Sequence, residues 1–203
     1  MKPAERQHVI NRYAERVERL GPVVQALGWR DDAQQQLRFD VLAGGLGDLT
    51  GASVLDVGCG FGDFLTYLDG RWPGVRFTGC DLAPSVLDVA RARHPQAAFD
   101  QRDVLETPYA DGSFDYVTIS GIFNHLIEDN EGFLQNMLAA SFKMARKGVA
   151  ANMVTDAVDY QDAGLYYFNP ERVLGYCRAL SRRVALRHDY PLYEFTVFIY
   201  RSA

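Results

Sequence analysis

The stretch Ser53-Val54-Leu55-Asp56-Val57-Gly58-Cys59-Gly60-Phe61-Gly62-Asp63-Phe64 constrains the fold more than any other part of the chain. A short apolar run ends at an aspartate, and three glycines then alternate with other residues. Such a run, bounded by a glycine turn, reads as a buried strand, and the segment that follows reads as a helix. Glycine permits backbone angles that other residues resist and lets another group approach the chain closely. On their own the glycines do not separate a ligand-binding turn from one that is glycine-rich for packing. The spacing is more informative. It is G-x-G-x-G, not the G-x-G-x-x-G that cradles a pyrophosphate at a helix N-terminus. Asp56 lies just before the first glycine and Asp63 just after the last. Flanking carboxylates repel a pyrophosphate and suit a cationic ligand, or one carrying an ammonium and hydroxyls.

The surrounding pattern sets that turn in an alternating frame. Before residue 50, Ile10, Tyr13, Val17 and Leu20 recur at helical spacing until Gly21-Pro22, and a second helix runs from Asp31-Asp32 to Gly44-Gly45. After the first strand come a helix ended by Pro73, a strand VRFTGCDL, and a helix opening at Pro84. AAFDQRDV and FDYVTISG read as strands three and four, and Asp129 caps a long helix. GVAANMVT is strand five, Asn169-Pro170 opens another helix, and two strand-like runs separated by Pro191 close the chain as an antiparallel pair. Strands alternating with helices give an α/β, doubly wound, Rossmann-like parallel sheet covered on both faces. The expected organisation is a single domain: a helical cap over residues 1–50 laid on a core of residues 51–203.

Composition excludes several function classes. The 203 residues carry 48% hydrophobic and 23% charged side chains, which suits one globular domain. A net charge of −5 gives no general attraction to nucleic acid or anionic membrane. Cys59, Cys80 and Cys177 form neither a CxxC pair nor a metal-ligand spacing, so they read as reduced thiols and no metal is expected. The N-terminus is too charged for a signal peptide, and no apolar run reaches membrane-spanning length. The expectation is a cytoplasmic protein acting on a small molecule, of open oligomeric state.

Two further acids stand at strand ends. Asp81 ends the second strand, 21 residues beyond Gly60, where a carboxylate can hold both hydroxyls of a ribose. Asp103 ends the third, where its oxygen can accept from an adenine amino group. Either acid alone reads as a cap or a solvated turn, but three acids at three successive strand ends, joined to the glycine turn, form a constellation.

VLDVGCGFGDF, GCDLAPSVLDVAR and QRDVLETPYADGSFDYVTIS together resemble the successive motifs of the class I S-adenosylmethionine-dependent methyltransferases, over roughly residues 50 to 200. The resemblance implies a seven-stranded sheet of order 3-2-1-4-5-7-6 with strand seven antiparallel, and S-adenosyl-L-methionine as cofactor. It places Asp56, Gly58, Cys59, Gly60 and Gly62 at the methionine end, with Asp56 near the ammonium. It places Asp81 on the ribose, Leu82 on the adenine face, Asp103 and Val104 at the adenine edge, and Ser120 at the end of strand four. SGIFNHL, KGVAANMV and the segment from Tyr166 onward resemble a narrower group of small bacterial methyltransferase-like proteins. Some relatives of that group let the cofactor's own amine attack its γ-carbon, which gives azetidine-2-carboxylic acid and methylthioadenosine. That cyclase reading, and a non-catalytic cofactor-binding protein, stay open beside methyl transfer.

The catalytic candidates follow strand four. Asn124 can orient an acceptor or the cofactor's amino acid end. His125, with an ordinary pKa near 6.5, can serve as a base or simply pack. Tyr13 and the Tyr166-Tyr167-Phe168 run can close over a sulfonium, whose charge an aromatic face stabilises, or can pack the cap. Trp29 and Gln36 are candidates for the lid, Asn152 is a polar residue within an apolar strand, and His188 reads as an anchor of the final hairpin. SGIFN, where nucleic acid amino-methylating enzymes carry N/D-P-P-Y/F, argues against DNA or RNA.

Overall fold

Caps and prolines set the helix boundaries. In the computed structural model, which describes residues 1–201, α1 (Pro3–Leu20) has Pro at its first turn and α2 (Asp32–Leu46) is capped by the Asp31 carboxylate, which accepts from Gln34 N. A short 3-10 helix, Val24–Leu27, joins them, and the sequence pattern did not indicate it. Then follow β1 (Ser53–Val57), α3 (Asp63–Asp69), β2 (Arg76–Asp81), α4 (Pro84–Arg93), β3 (Ala98–Gln101) and β4 (Phe114–Ile119). The chain ends with α5 (Asn130–Met144), β5 (Ala145–Val154), α6 (Pro170–Leu180), β6 (Arg183–Arg187) and β7 (Glu194–Tyr200). Asp129 and Asn169 cap α5 and α6 as their positions suggest.

The seven strands form one sheet in the order β3-β2-β1-β4-β5-β7-β6. β1 to β5 run parallel, and β7 pairs antiparallel with both β5 and β6. Neighbouring residues on a strand point to opposite faces. Val54, Ala150 and Phe198 accordingly join one hydrophobic cluster, while Leu55, Val149, Ala151, Val197 and Ile199 join the other. The α2–α4 side covers the first face and α5 and α6 cover the second.

The two N-terminal helices differ in kind. Phe39, Leu42, Ala43 and Leu46 of α2 are buried against the sheet. α2 runs on through Gly44-Gly45 because a Cβ at Gly45 would collide with the ring of Phe198, so the bare backbone lets the helix press on the sheet. A buried ion pair, Arg38 with Glu194, ties α2 to β7. By contrast α1 has no fully buried residue. It is held at its edges, by Lys2 with Glu128, by Arg6 with Asp103 at 3.0 Å and Glu106 at 2.8 Å, and by Arg16 Nη2 donating to the Gln25 carbonyl at 2.6 Å. Two further boundaries differ from expectation. α3 stops at Asp69, before Gly70, and β3 stops at Gln101, so Asp103 lies in the following loop. Among the described residues no helix is long and apolar enough to cross a membrane.

Candidate functional site

A cleft opens above the carboxyl ends of β1, β2 and β4, roofed by α1. In a parallel doubly wound sheet this is where the strand order reverses and a crevice forms. Its floor holds Asp56, Gly58, Cys59, Gly60 and Asp81; Leu82, Asp103 and Val104 continue it on one side, and Ser120 and His125 on the other. Tyr13 reaches in from α1.

The carboxylates fall into two classes. Asp103 and Asp63 are paired, Asp103 with Arg6 and Asp63 with Arg93 at 2.8 Å and with Gln35 Nε2 at 3.2 Å. Asp56 and Asp81 meet no base among the described residues. Asp56 is only 5% exposed and accepts one hydrogen bond, from Thr118 Oγ1 at 2.8 Å. Burial drives its pKa up to about 7, against the pull of that bond, with Asp81 and Asp63 adding repulsion. Asp81 accepts from Gly60 N at 3.1 Å and Ala83 N at 3.0 Å, and burial still raises its pKa. One buried and one half-buried carboxylate, neither paired with a base, about one glycine turn match a ligand with an ammonium and hydroxyls, which is what S-adenosylmethionine presents. The donor set therefore fits that cofactor.

The glycines have specific neighbours. Gly58, Gly60 and Gly62 all have positive φ, at 76°, 53° and 77°. A Cβ on Gly58 would strike Ile122, and one on Gly60 would come within 3.0 Å of Leu27. Ile122 and Leu27 both line the cleft, so these glycines let its walls close onto the turn. Gly62 is not a lining residue; it faces His94 and Phe99, each 3.0 Å from where its Cβ would be, and makes room for packing beneath α3.

The residues after β4 separate. His125 lines the cleft beneath α1, with Nδ1 3.3 Å from Arg12 Nη1 and Nε2 3.3 Å from the Tyr13 hydroxyl. A guanidinium only donates. His125 therefore accepts at Nδ1, is neutral, and carries its proton on Nε2, which faces Tyr13. Burial first, then Arg12, Arg16 and His8, lower its pKa to about 4. Both ring nitrogens are thus engaged, which favours a positioning role over that of a free base. Asn124 is not among the cleft residues. Its Oδ1 accepts from Val154 N at 3.1 Å and its carbonyl accepts from Tyr166 N at 3.0 Å, so it ties the loop to β5. Tyr167 is also outside the cleft, where its hydroxyl accepts from Asp162 N at 2.7 Å. The structure thus does not assemble Asn124, His125 and Tyr167 into one catalytic group, because backbone N–H groups of neighbouring loops take the two others.

Asn152 shapes the wall instead of floating in its strand: Gly121 N donates to its Oδ1, and its Nδ2 donates to Ser120 Oγ, each at 3.1 Å. His188 packs edge-on to Phe195 in the final hairpin. Trp29 enters the cleft against Gly121, with the Arg38 guanidinium 4.2 Å over its ring. Gln35 lines the cleft, whereas Gln36 is exposed. Val9, Phe39 and Phe64 also contribute, and nothing in the sequence set them apart from ordinary core residues.

Comparison with known proteins agrees with this architecture. The methyltransferase domain family matches residues 54–147. The methyltransferase-like protein Rv1506c of Mycobacterium tuberculosis is 34% identical over 161 residues, which cover 74% of this chain and 94% of that protein. The demethylmenaquinone methyltransferase of Deinococcus radiodurans is 38% identical over 86 residues, 40% of this chain and only 36% of its own length. Among solved structures, the magnesium protoporphyrin IX methyltransferase of Synechocystis, with bound SAH, superposes with a TM-score of 0.64 over 83% of each chain at 16% identity.

Proposed function

This chain belongs to the S-adenosylmethionine-dependent methyltransferases, and on that premise we propose that it methylates a small-molecule acceptor in the cleft beneath α1. The observation that carries the reading is the pair of carboxylates, buried Asp56 and half-buried Asp81, left without a base beside the glycine turn. The cofactor supplies a methyl group on a positively charged sulfur, which leaves with the S–C electron pair as the acceptor bonds to the methyl carbon. The chain's own residues do the rest. Asp56 holds the ammonium and Asp81 holds the ribose hydroxyls. Leu82 packs on the adenine, with Asp103 and Val104 at its edge. Asp103 meets the adenine amino group while sharing its carboxylate with Arg6. Tyr13, steered by His125, closes the roof over the sulfonium, where an aromatic face favours a cation.

Alignment and exclusion of water are the main demands of such a displacement, and orientation supplies on the order of 7–11 kcal/mol. A base is needed only for a weakly acidic acceptor, so a cleft without a free base is compatible with the reaction. The small-molecule class is supported by relatives named for demethylmenaquinone and magnesium protoporphyrin IX, and by a net charge of −5 that disfavours nucleic acid.

The test begins with the purified protein and S-adenosylmethionine alone, analysed by mass spectrometry. Bound, unchanged cofactor, followed by S-adenosylhomocysteine release on addition of small metabolites, is the expected result. Methylthioadenosine with azetidine-2-carboxylic acid, formed faster than in a protein-free control, would replace methyl transfer by cyclisation. Binding with no turnover of any acceptor would leave a cofactor-binding protein.

A further inference from the structure

One buried polar side chain of the cleft is neither packed away nor used up. Gln35, on α2, is only 5% exposed and lines the cleft. Its Nε2 donates to Asp63 Oδ2 at 3.2 Å, and a carboxylate only accepts, so the amide is held in one orientation. Asp63 is fixed from its other side, where Arg93 Nη1 donates to Oδ1 at 2.8 Å. Arg93, Asp63 and Gln35 thus form a chain of contacts that ends at Gln35 Oε1. That oxygen has no hydrogen-bond partner among the described residues and is not sealed from the cleft. A polar atom left unpaired in a buried side chain is costly until a ligand completes it.

The position of α2 says which part of a ligand meets this oxygen. Asp81, Asp103 and Val104 stand on the β2 and β3 side of β1, where ribose and adenine are assigned. α2 lies over the other side. Arg38 with Glu194 and Gly45 against Phe198 tie it to β7, and Arg38 stacks on Trp29, which meets Gly121 after β4. A ligand with adenine over β2 and β3 and its ribose at Asp81 therefore carries its amino acid end over β1, toward Gln35. The glycine turn closes the gap. Asp56 enters it and Asp63 leaves it, and the two carboxylates are near enough for the charge of one to raise the pKa of the other. Thr118 occupies Asp56 Oδ1 and leaves Oδ2 without a partner among the described residues.

We infer that Gln35 Oε1 is a second acceptor for the α-ammonium of S-adenosylmethionine, beside Asp56 Oδ2, and that Asp63 and Arg93 are positioning residues that keep the amide oxygen, not the amide nitrogen, turned to the cofactor. This rests on the methyltransferase reading above. An ammonium offers three donors and no acceptor, so an oxygen serves it and an Nε2 repels it. Acceptors on two sides favour the charged form of the amine. A protonated amine has no lone pair with which to attack the γ-carbon, so the same contacts set the bound cofactor for methyl transfer and against cyclisation.

The test titrates the full chain, by calorimetry, with S-adenosylhomocysteine and with its analogue in which hydrogen replaces the α-amine. Gln35→Met keeps the length of the side chain and removes the oxygen. It is expected to weaken S-adenosylhomocysteine binding about tenfold, the worth of one hydrogen bond to a charged group, and to leave the deamino analogue unaffected. In Asp63→Asn, Arg93 keeps the amide oxygen and the amide NH2 meets Gln35, which turns over and points Nε2 at the ammonium. A similar loss is expected there although Gln35 is intact, and the double variant should lose no more than either single one. Losses that add would mean that the Asp63 charge acts by itself, and would overturn the positioning role. Equal losses for both ligands in Gln35→Met, or an unchanged affinity for S-adenosylhomocysteine, would overturn the acceptor role. Should Gln35→Met not fold, Gln35→Asn withdraws the oxygen by one methylene and takes its place. Failure of the unaltered chain to bind S-adenosylhomocysteine would instead sink the methyltransferase reading, which the first titration distinguishes.

Discussion

The floor of the cleft, at the ends of β1 and β2, carries Asp56 and Asp81 with no base to meet them among the described residues, whereas α1, which roofs it, carries Arg12, Arg16 and Arg19 around a separate depression shared with Glu15. Where the two surfaces do meet, at Arg6 and Asp103, the charges cancel. The chain thus closes its cleft with ion pairs at the outer edge and leaves the two acids of the floor without a base. Buried charges are kept uncompensated at a cost to stability, and a ligand is the natural counter-charge. On the proposed reading the floor takes a cation with hydroxyls, and the roof closes over it through Tyr13.

Breaking the floor should have the largest effect. Asp81→Ala removes two charge-assisted contacts and is expected to weaken S-adenosylmethionine binding by about 100-fold or more in calorimetry. Retained tight binding would overturn the site assignment. Asp56→Asn comes next, at about tenfold, and it carries a pH signature. The folded pKa near 7 lies above the ordinary 3.8, so this group's contribution to stability is present at low pH and lost as pH rises through 7. The melting temperature of the ligand-free protein should fall over that range, and cofactor affinity should rise over it as the carboxylate ionises. Asp56→Asn should abolish both trends; trends that persist would mean another group titrates.

The roof and its supports respond more weakly. Asn124→Ala strands the Val154 N–H and should cost about 1–2 kcal/mol in urea unfolding, with turnover of the folded variant unchanged. A selective loss of turnover at unchanged stability would return Asn124 to the mechanism. His125→Gln is the mildest, about 1 kcal/mol, with cofactor binding intact. Its pH signature has the opposite sign to that of the floor. A histidine held near pKa 4 contributes stability above its ordinary 6.5 that is lost as pH falls toward 4, so the variant should unfold less readily in acid than expected from the wild type. An unchanged acid limb would show that His125 is not held neutral by burial and Arg12.

The difference between floor and roof is also a difference in how far the amino-acid order reaches. The strand-helix alternation, the caps at Asp129 and Asn169, the terminal hairpin and the floor acids were legible because each depends on residues a few positions apart or on one repeating unit. Asp56, the glycines and Asp81 lie within one strand-turn-helix-strand segment, so their spacing alone brings them together. The seven-strand order itself came from resemblance to a family and not from periodicity.

The roof was decided elsewhere. Tyr13 and Arg12 meet His125 across more than a hundred residues, and no local pattern encodes that contact. Asn124 looked free to act because its backbone partners, Val154 and Tyr166, stand 30 and 42 positions away, and only the packed loops show its amide occupied. Gln35 rather than Gln36 enters the cleft because the helical phase of α2 is set by Phe39, Leu42 and Leu46 packing on the sheet. The sequence by itself determined the elements, their alternation and the acidic floor, since those arise from short-range sterics and burial periodicity. Tertiary structure alone decided which distant charges face each other across the cleft and which polar side chains are used up in holding it open, because those outcomes depend on long-range packing that no short stretch of the chain specifies.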